Sequence, residues 1–357
     1  MGEQDMSRIV IIGGSGHVGS YLIPRLIARG HVVLNVSRGK ATPYRPHPAW
    51  NEVENVLIDR AAEEARGRFG HMIADLGPEI VVDMIAFDLA STQLLVEALR
   101  DRIEHFLFCS TIWVYGRLVS VPSTEGDLPT PIDTYGRNKA EIESWLLQQA
   151  QLNGFPATCF RPGHIVGEGW MPINPLGNLN PAVFSLIASG DELLLPNLGL
   201  EMLHHVHADD VAHWIVQAID HRAASMGEVF NTVSAQAVNL RGYAEAAYRW
   251  FGKEPRLGYK PFEEWILGLA GYDAELSRAH IIRSSCHSIA KSRERIAYSP
   301  RYSSLDAIHE SVRALVANGQ LSSIEREVPL VLSSSSRSTE QRRNVEQQWL
   351  AGNAPHQ

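Results

Sequence analysis

Cysteine is scarce in this chain. Cys109, Cys159 and Cys286 stand at no paired spacing, which argues against a disulfide framework and a cysteine-built metal site and fits a reducing compartment. No apolar run approaches the ~20 residues of a membrane span. Residues 1–7 are polar and acidic and lack the basic and apolar segments of a secretory leader. Positive charge is also short. The 32 Lys and Arg against 40 Asp and Glu leave a net charge of −8, which weighs against nucleic acid or an anionic membrane as a partner. No internal repeat is present. These absences leave a cytoplasmic protein with a small-molecule partner. At 357 residues, 45% hydrophobic and 20% charged, it has enough apolar material for one large or two modest domains.

What is present is organised around the first strand. Arg8 to Ile12 is a short run rich in β-branched residues, broken by Gly13-Gly14-Ser15-Gly16-His17-Val18-Gly19, after which a helical pattern runs to Arg29. Strand, glycine turn and helix make half of a dinucleotide-binding βαβ unit. Gly13 is expected to make the tight exit from the strand, Gly16 to let the backbone approach a pyrophosphate, and Gly19 to let the helix lie close on the sheet. Free amides at the helix N-terminus then face the anion. A second strand follows over 31–36. An NAD-selective site usually places an acid at the end of that strand, for the ribose 2′-hydroxyl. Here Ser37-Arg38-Gly39-Lys40 offers none, and two cations stand where a 2′-phosphate would lie. NADP is therefore expected as cofactor, with NAD as the alternative.

The remaining elements alternate. A third strand over 55–60 ends in Asp59, whose carboxylate can accept from an adenine amino group. A helix over 61–76 follows, then a strand over 80–87 whose near-continuous apolar run suits burial on both faces. A helix over 89–101 and a strand over 103–110 come next. The pattern predicts an α/β class with a right-handed, doubly wound, Rossmann-type parallel sheet.

Ser110 and Thr111 close the fifth strand, and Tyr135 and Lys139 lie four apart, on one face of a helix. A phenol with an ordinary pKa near ~10 is a poor base at neutral pH. A neighbouring ammonium stabilises the phenolate and draws its pKa toward working pH. The Thr111 hydroxyl can hold a substrate oxygen in place.

On these motifs the chain resembles the extended short-chain dehydrogenase/reductase family, the group of NAD(P)-dependent epimerases, dehydratases and reductases. The resemblance rests on Gly13-x-x-Gly16-x-x-Gly19, Ser110-Thr111-x-x-Val114-Tyr115-Gly116, Tyr135-x-x-x-Lys139, Arg161-Pro162-Gly163 and Val206-His207-Ala208-Asp209-Asp210-Val211-Ala212, and spans about residues 8–315. It implies Tyr135 as general acid/base, Lys139 as its helper and as a ligand of the nicotinamide ribose, and Thr111 as the binder of the substrate oxygen. Cofactor contacts are expected at Gly13, Gly16, His17, Val18, Arg38, Asp59, Ala86, Lys139 and Pro162. Substrate contacts are expected at Phe87, Trp113 and His164. No metal is expected, and a homodimer is.

Departures from the family pattern bear on substrate. Sugar-nucleotide members carry Arg-Pro-Gly-Asn, with the Asn on the diphosphate; here His164 replaces it. They often carry an Arg before the His-Val-Asp-Asp segment; here residues 199–205 contain none. The acidic pair that follows the catalytic Thr in 4,6-dehydratases is replaced by Ile112-Trp113. His204, His205 and His207 cluster without carboxylate or Cys partners at ligand spacing.

Thr158 to Arg161 reads as the sixth strand. Residues 167–199, rich in Pro, Gly and Asn, read as a substrate-covering insertion with one apolar helix over 181–189. A helix over 209–221 and a late strand over 227–233 follow. Helices are expected over 240–251, 262–269 and 305–318. The expected division is a dinucleotide-binding domain over 1–166 and 203–236, a mostly helical substrate lobe over 167–202 and 237–325, and a tail over 326–357. The tail holds a linker at Ser333 to Ser336 and a helix over 339–350. The expected activity is hydride transfer between a nicotinamide cofactor and a secondary alcohol or ketone of a polar, sugar-like substrate. A sugar epimerase with retained cofactor and a non-catalytic NAD(P)-sensing protein are the alternatives.

Overall fold

The computed structural model describes residues 6–321. Short β-branched runs form the strands and amphipathic stretches the helices between them. In chain order come β1 (Arg8–Ile12), α1 (Gly19–Ile27), β2 (Val32–Ser37), β3 (Glu54–Leu57), α2 (Arg60–Glu64), α3 (Phe69–Asp75), β4 (Ile80–Asp83), α4 (Leu89–Leu99) and β5 (His105–Cys109). Then follow α5 (Thr134–Asn153), β6 (Ala157–Pro162), β7 (His164–Val166), α6 (Ala182–Ser189), β8 (Leu193–Pro196), β9 (Met202–Leu203) and β10 (His205–His207). The chain continues through α7 (Ala208–Asp220), α8 (Arg222–Ser225), β11 (Val229–Thr232), β12 (Val238–Asn239), α9 (Leu240–Trp250) and β13 (Leu257–Lys260). It closes with α10 (Phe262–Trp265), α11 (Gly271–Ile281), α12 (Ala290–Ile296) and α13 (Ser304–Ala317).

Seven strands form one sheet in the order β11-β6-β5-β4-β1-β2-β3, and every pairing in it is parallel. The order reverses between β1 and β4, and the crevice at the C-terminal ends of these strands is where such sheets bind ligands. The chain is an α/β protein of Rossmann type, as expected. Leu22, Leu26 and Trp214 cover one face of the sheet. Ile73, Leu95, Ile142 and Leu146 cover the other. A separate apolar cluster, including Phe184, Tyr243, Tyr248 and Ile308, gathers the insertion and the C-terminal helices. No helix among the described residues is long and apolar enough to cross a membrane.

Several elements end earlier than their apolar runs do, each for a local reason. The strand expected over 80–87 stops at Asp83, whose carboxylate accepts from the Ile85 amide at 3.1 Å and turns the chain. The strand expected over 55–60 stops at Leu57, and Asp59 instead caps α2 by accepting from the Ala62 amide. The helix expected over 61–76 is two helices, split where Gly67 takes a φ of +68°. The helix expected over 262–269 is a four-residue helix and a 3-10 turn. The parallel pair β8–β13 and helices α11 and α12 have no counterpart among the expected elements. The linker expected at Ser333 to Ser336 and the tail helix expected over 339–350 lie outside the described residues.

Gly19 corrects its expected role. A Cβ there would lie 1.8 Å from the Gly14 carbonyl oxygen, so what the glycine first makes room for is the turn before the helix. Gly13 sits at φ +91°, a conformation that favours glycine, and its amide donates to the Val36 carbonyl at 2.9 Å.

Helix α5 carries Tyr135 and Lys139, and two buried cationic contacts fix it to the sheet. Lys139 Nζ donates to the Cys109 carbonyl at the end of β5, at 2.7 Å. Arg161 of β6 pairs with Glu143, one turn after Lys139, through its Nε at 3.0 Å and its Nη2. Both partners of this pair are almost fully buried. Removing one partner of a buried pair leaves the other charge uncompensated. Glu143→Gln is expected to cost about 3–5 kcal/mol in urea unfolding. A loss under about 1 kcal/mol, typical of exposed pairs, would show that the pair does not anchor the helix.

Candidate active site

The end of β5 places the reactive hydroxyls. Thr111 follows the strand and caps the 3-10 turn Ile112–Tyr115, its Oγ1 accepting from the Trp113 amide at 3.2 Å. Asp133 caps α5, its Oδ1 accepting from the Gly136 amide at 2.7 Å. These two caps bring the Thr111 hydroxyl and the Tyr135 phenol close enough for the one to influence the other's ionisation. Thr111 is buried, whereas 42% of Tyr135 is exposed. Tyr135 is flanked by Trp113, edge to face at 5.9 Å between ring centroids, and by Phe87 at 6.5 Å.

The electrostatics differ from the sequence expectation. The phenol of Tyr135 is pushed up to about 12, by burial first and by Cys109 second, with the nearby Thr111 hydroxyl opposing. Lys139 is not among the groups that lower it. Its ammonium is committed to the Cys109 carbonyl and lies 5.8 Å from the Tyr135 ring centroid and 4.8 Å from that of Phe87. Burial depresses the Lys139 pKa itself. Dehydration therefore outweighs charge attraction in the protein alone.

A cavity of about 490 Å³ opens at the glycine turn and the ends of β2 and β3. Gly13, Gly16, Arg38 and Asp59 line it, together with Ser15, Lys40, Tyr44, Arg60 and Phe87. A Cβ on Gly16 would meet only the Gly13 carbonyl, at 3.3 Å, so this glycine keeps its cavity side bare for a close-approaching anion. Arg60 is largely committed within the protein, since it holds Asp83 at 2.8 Å, Glu64 at 2.6 Å and Ser91 at 2.9 Å. Among the described residues Arg38 and Lys40 make no hydrogen bond or ion pair. Ser37 Oγ is used locally, accepting from the Gly39 amide at 3.2 Å.

The other expected cofactor residues lie outside that cavity. Val18 is a core side chain under α1, and Ala86 and Pro162 are buried. His17 turns away from the cavity: its ring stacks on Trp170 at 4.9 Å, its Nε2 meets the Glu168 carbonyl at 3.1 Å, and burial lowers its pKa to about 4. Lys139 is buried, with its Nζ 4.8 Å from the ring of the cavity residue Phe87. The sequence missed Tyr44 at the cavity rim, because the segment after β2 carries no regular element to mark it.

His164, expected to contact substrate, is a buried imidazole in a cluster of histidines. It is 8% exposed, with neither ring nitrogen hydrogen-bonded, and His280 stands between it and Trp113. Burial, and then His280, His205, His204 and His287, hold it well below the ordinary histidine pKa, so it is neutral. The clustered histidines after β8 separate in space. His204 meets the Ser234 carbonyl at 3.1 Å, His205 packs against His164, and His207 meets Glu310 at 3.0 Å.

Known proteins resemble this chain to different extents. The sequence model of the NAD dependent epimerase/dehydratase family matches residues 9–232. A chloroplast stem-loop binding protein of 41 kDa from Arabidopsis thaliana is 26% identical over 267 residues, 72% of this chain and 67% of its own. A 2′-dehydrokanamycin reductase from Streptomyces kanamyceticus is 28% identical over 141 residues, 40% of this chain and 38% of its own. The crystal structure of a UDP-glucose 4-epimerase from Thermotoga maritima, with UDP-glucose, superposes with a TM-score of 0.65 at 22% identity, covering 87% of this chain and 99% of the other. That last likeness is one of fold.

The electrostatics make a direct prediction. In the protein without ligand, Tyr135 is expected to remain a neutral phenol across the physiological range and to ionise only near about 12. The ring carbon signal of labelled tyrosine, assigned through Tyr135→Phe, reports this in NMR. A midpoint between about 7 and 8 would mean that Lys139 activates the phenol without help.

Proposed function

The chain belongs to the NAD dependent epimerase/dehydratase family, enzymes of the extended short-chain dehydrogenase/reductase type, and from that premise we propose that it transfers hydride between NADP and a secondary alcohol or ketone on a polar, sugar-like ring. The observation that carries this reading is the gathering of Thr111, Tyr135 and Lys139 around Phe87, whose ring lines the nucleotide cavity and lies 6.5 Å from the Tyr135 ring and 4.8 Å from Lys139 Nζ. Thr111 orients the substrate oxygen, and Tyr135 gives its proton to the oxygen of a ketone or takes it from an alcohol. A phenol held near about 12 keeps its proton at neutral pH, the state from which reduction of a ketone starts, and positive charge near the ring would bring it closer to the working pH at which proton transfer is most efficient. The oxidised nicotinamide, when bound, supplies a positive charge and the hydride-accepting carbon. Gly13 and Gly16 would hold its pyrophosphate and Lys139 its ribose. Trp113 and Phe87 give the reacting centre two aromatic walls, which suits a ring with an apolar face.

NADP is favoured over NAD by the two uncommitted cations, Arg38 and Lys40, at the cavity and by the lack of an acid in the turn that carries them. The epimerase reading, in which the cofactor is retained, is supported by the family and by the Thermotoga maritima epimerase. Against its sugar-nucleotide form stand the neutral, buried His164 and the missing Arg before His204. A diphosphate needs fixed cationic donors, and a neutral imidazole is a poor substitute for a bidentate guanidinium. The reductase from Streptomyces kanamyceticus, whose name points to a glycosidic ring ketone, supports the net-reduction reading. The intact Thr111, Tyr135 and Lys139 weigh against a purely cofactor-sensing role.

Two measurements test these assignments. Arg38→Ala is expected to weaken NADPH binding by about 1.5–3 kcal/mol, the range for hydrogen bonds to charged groups, and to leave NADH nearly unchanged. Equal losses for both cofactors, or tighter NADH than NADPH in the wild type, would reverse the cofactor assignment. Calorimetry with UDP and dTDP is expected to show dissociation constants above about 1 mM, a binding free energy under about 4.1 kcal/mol. Micromolar binding of either would restore the sugar-nucleotide reading.

A further inference from the structure

Arg283 is almost entirely buried, and it lies just beyond α11 in the C-terminal lobe. One carboxylate, that of Asp133, faces it across 150 residues of sequence. Its other terminal nitrogen donates to the Ala279 carbonyl, and its Nε has no partner among the described residues. Burial lowers its pKa to about 10. A charged group placed so deep with so few partners is costly to keep. An apolar side chain would fill the same space without that cost, so packing does not explain it.

Two of its contacts converge on Tyr135. Asp133 caps α5 through its Oδ1 and meets Arg283 through its Oδ2, two residues before Tyr135. The Arg283 guanidinium also lies 3.9 Å from the ring centroid of Trp113, whose edge meets Tyr135. His280, three residues earlier, touches the same indole at 5.2 Å. Ser284, the next residue, takes a φ of +46°, rare for a residue with a side chain, and accepts from the Met202 amide at 3.1 Å. The lobe thus fixes its own backbone at the point where it presents this arginine.

We propose that Arg283 is a positioning residue for Tyr135: through Asp133 and Trp113 it clamps the helix cap and the aromatic wall between which the phenol sits. The lobe and the catalytic helix are joined at this contact, so the packing of one sets the geometry of the other. This rests on the reading of Tyr135 as acid/base in the proposed hydride transfer.

The test uses the full chain and needs no substrate. Four variants are compared with the wild type: Arg283→Met, Arg283→Lys, Asp133→Asn, and Arg283→Met combined with Asp133→Asn. Asn caps a helix about as well as Asp, so the cap itself survives. The combined variant removes both charges together, and its result therefore reports geometry and not net charge. The readout is the titration of the labelled Tyr135 ring carbon, with melting temperature alongside. The clamp sets the packing and the charges around the phenol, so its midpoint is expected to move by at least about one unit in Arg283→Met and in the combined variant. Arg283→Lys, which keeps the ion pair, should titrate close to wild type. The combined variant should shift no further than Arg283→Met alone, because the two residues act as one contact. A Tyr135 midpoint unchanged in Arg283→Met, even with a lowered melting temperature, would overturn the proposal and leave Arg283 a purely structural residue. A Lys variant as disturbed as the Met variant would also overturn it. The titration does not depend on turnover, so an active Tyr135→Phe protein would refute the catalytic role of Tyr135 without touching this result.

Discussion

The position of α5 depends on an ammonium resting on a carbonyl. Lys139 Nζ meets the Cys109 oxygen at 2.7 Å in a nearly dry environment. One turn further on, the buried Arg161–Glu143 pair repeats the same kind of link to β6. A helix joined to two adjacent strands by charged contacts cannot slide without exposing a charge to an apolar interior. The register between Tyr135 and Thr111 is set by this constraint. It holds because the sheet reverses at β1 and β4, so that the ends of β5 and β6 face the same crevice as the glycine turn.

The same constraint explains why the phenol is not activated in the protein alone. An ammonium used as an anchor is not free to approach the hydroxyl. Desolvation and attraction compete at Tyr135, and desolvation prevails while Lys139 is held by Cys109. A proton-donating phenol matches reduction of a ketone. In the opposite direction, additional positive charge near the ring is required before it can act as a base. The anchor and the helper are thus one residue with two demands on it.

Much of this was legible in the sequence, for local reasons. Gly13-x-x-Gly16-x-x-Gly19, the apolar parallel strands and Tyr135-x-x-x-Lys139 all express short-range geometry, which spacing records directly. The elements that went unread depend on side chains meeting across the fold. Asp83 and Asp59 end or cap elements through single hydrogen bonds that no periodicity reveals. His17 and Val18 sit inside the glycine motif, yet one ring turns toward Trp170 and one side chain toward the core. His164 occupies a position associated with substrate, and its packing against His280 is a contact no local pattern reveals. Arg283 and Asp133 have no motif at all: nothing within either segment marks it for the other.

The central claim is that Tyr135 moves the proton in a hydride-transfer reaction. Its most direct test is Tyr135→Phe, which deletes one hydroxyl and keeps the ring that Trp113 and Phe87 contact. NADPH oxidation is followed with the sugar-like ring ketone that the wild type reduces fastest. The account predicts a rate lower by roughly 100-fold or more, the range lost with a general acid, with NADPH affinity unchanged. A variant that turns over at close to the wild-type rate would contradict it.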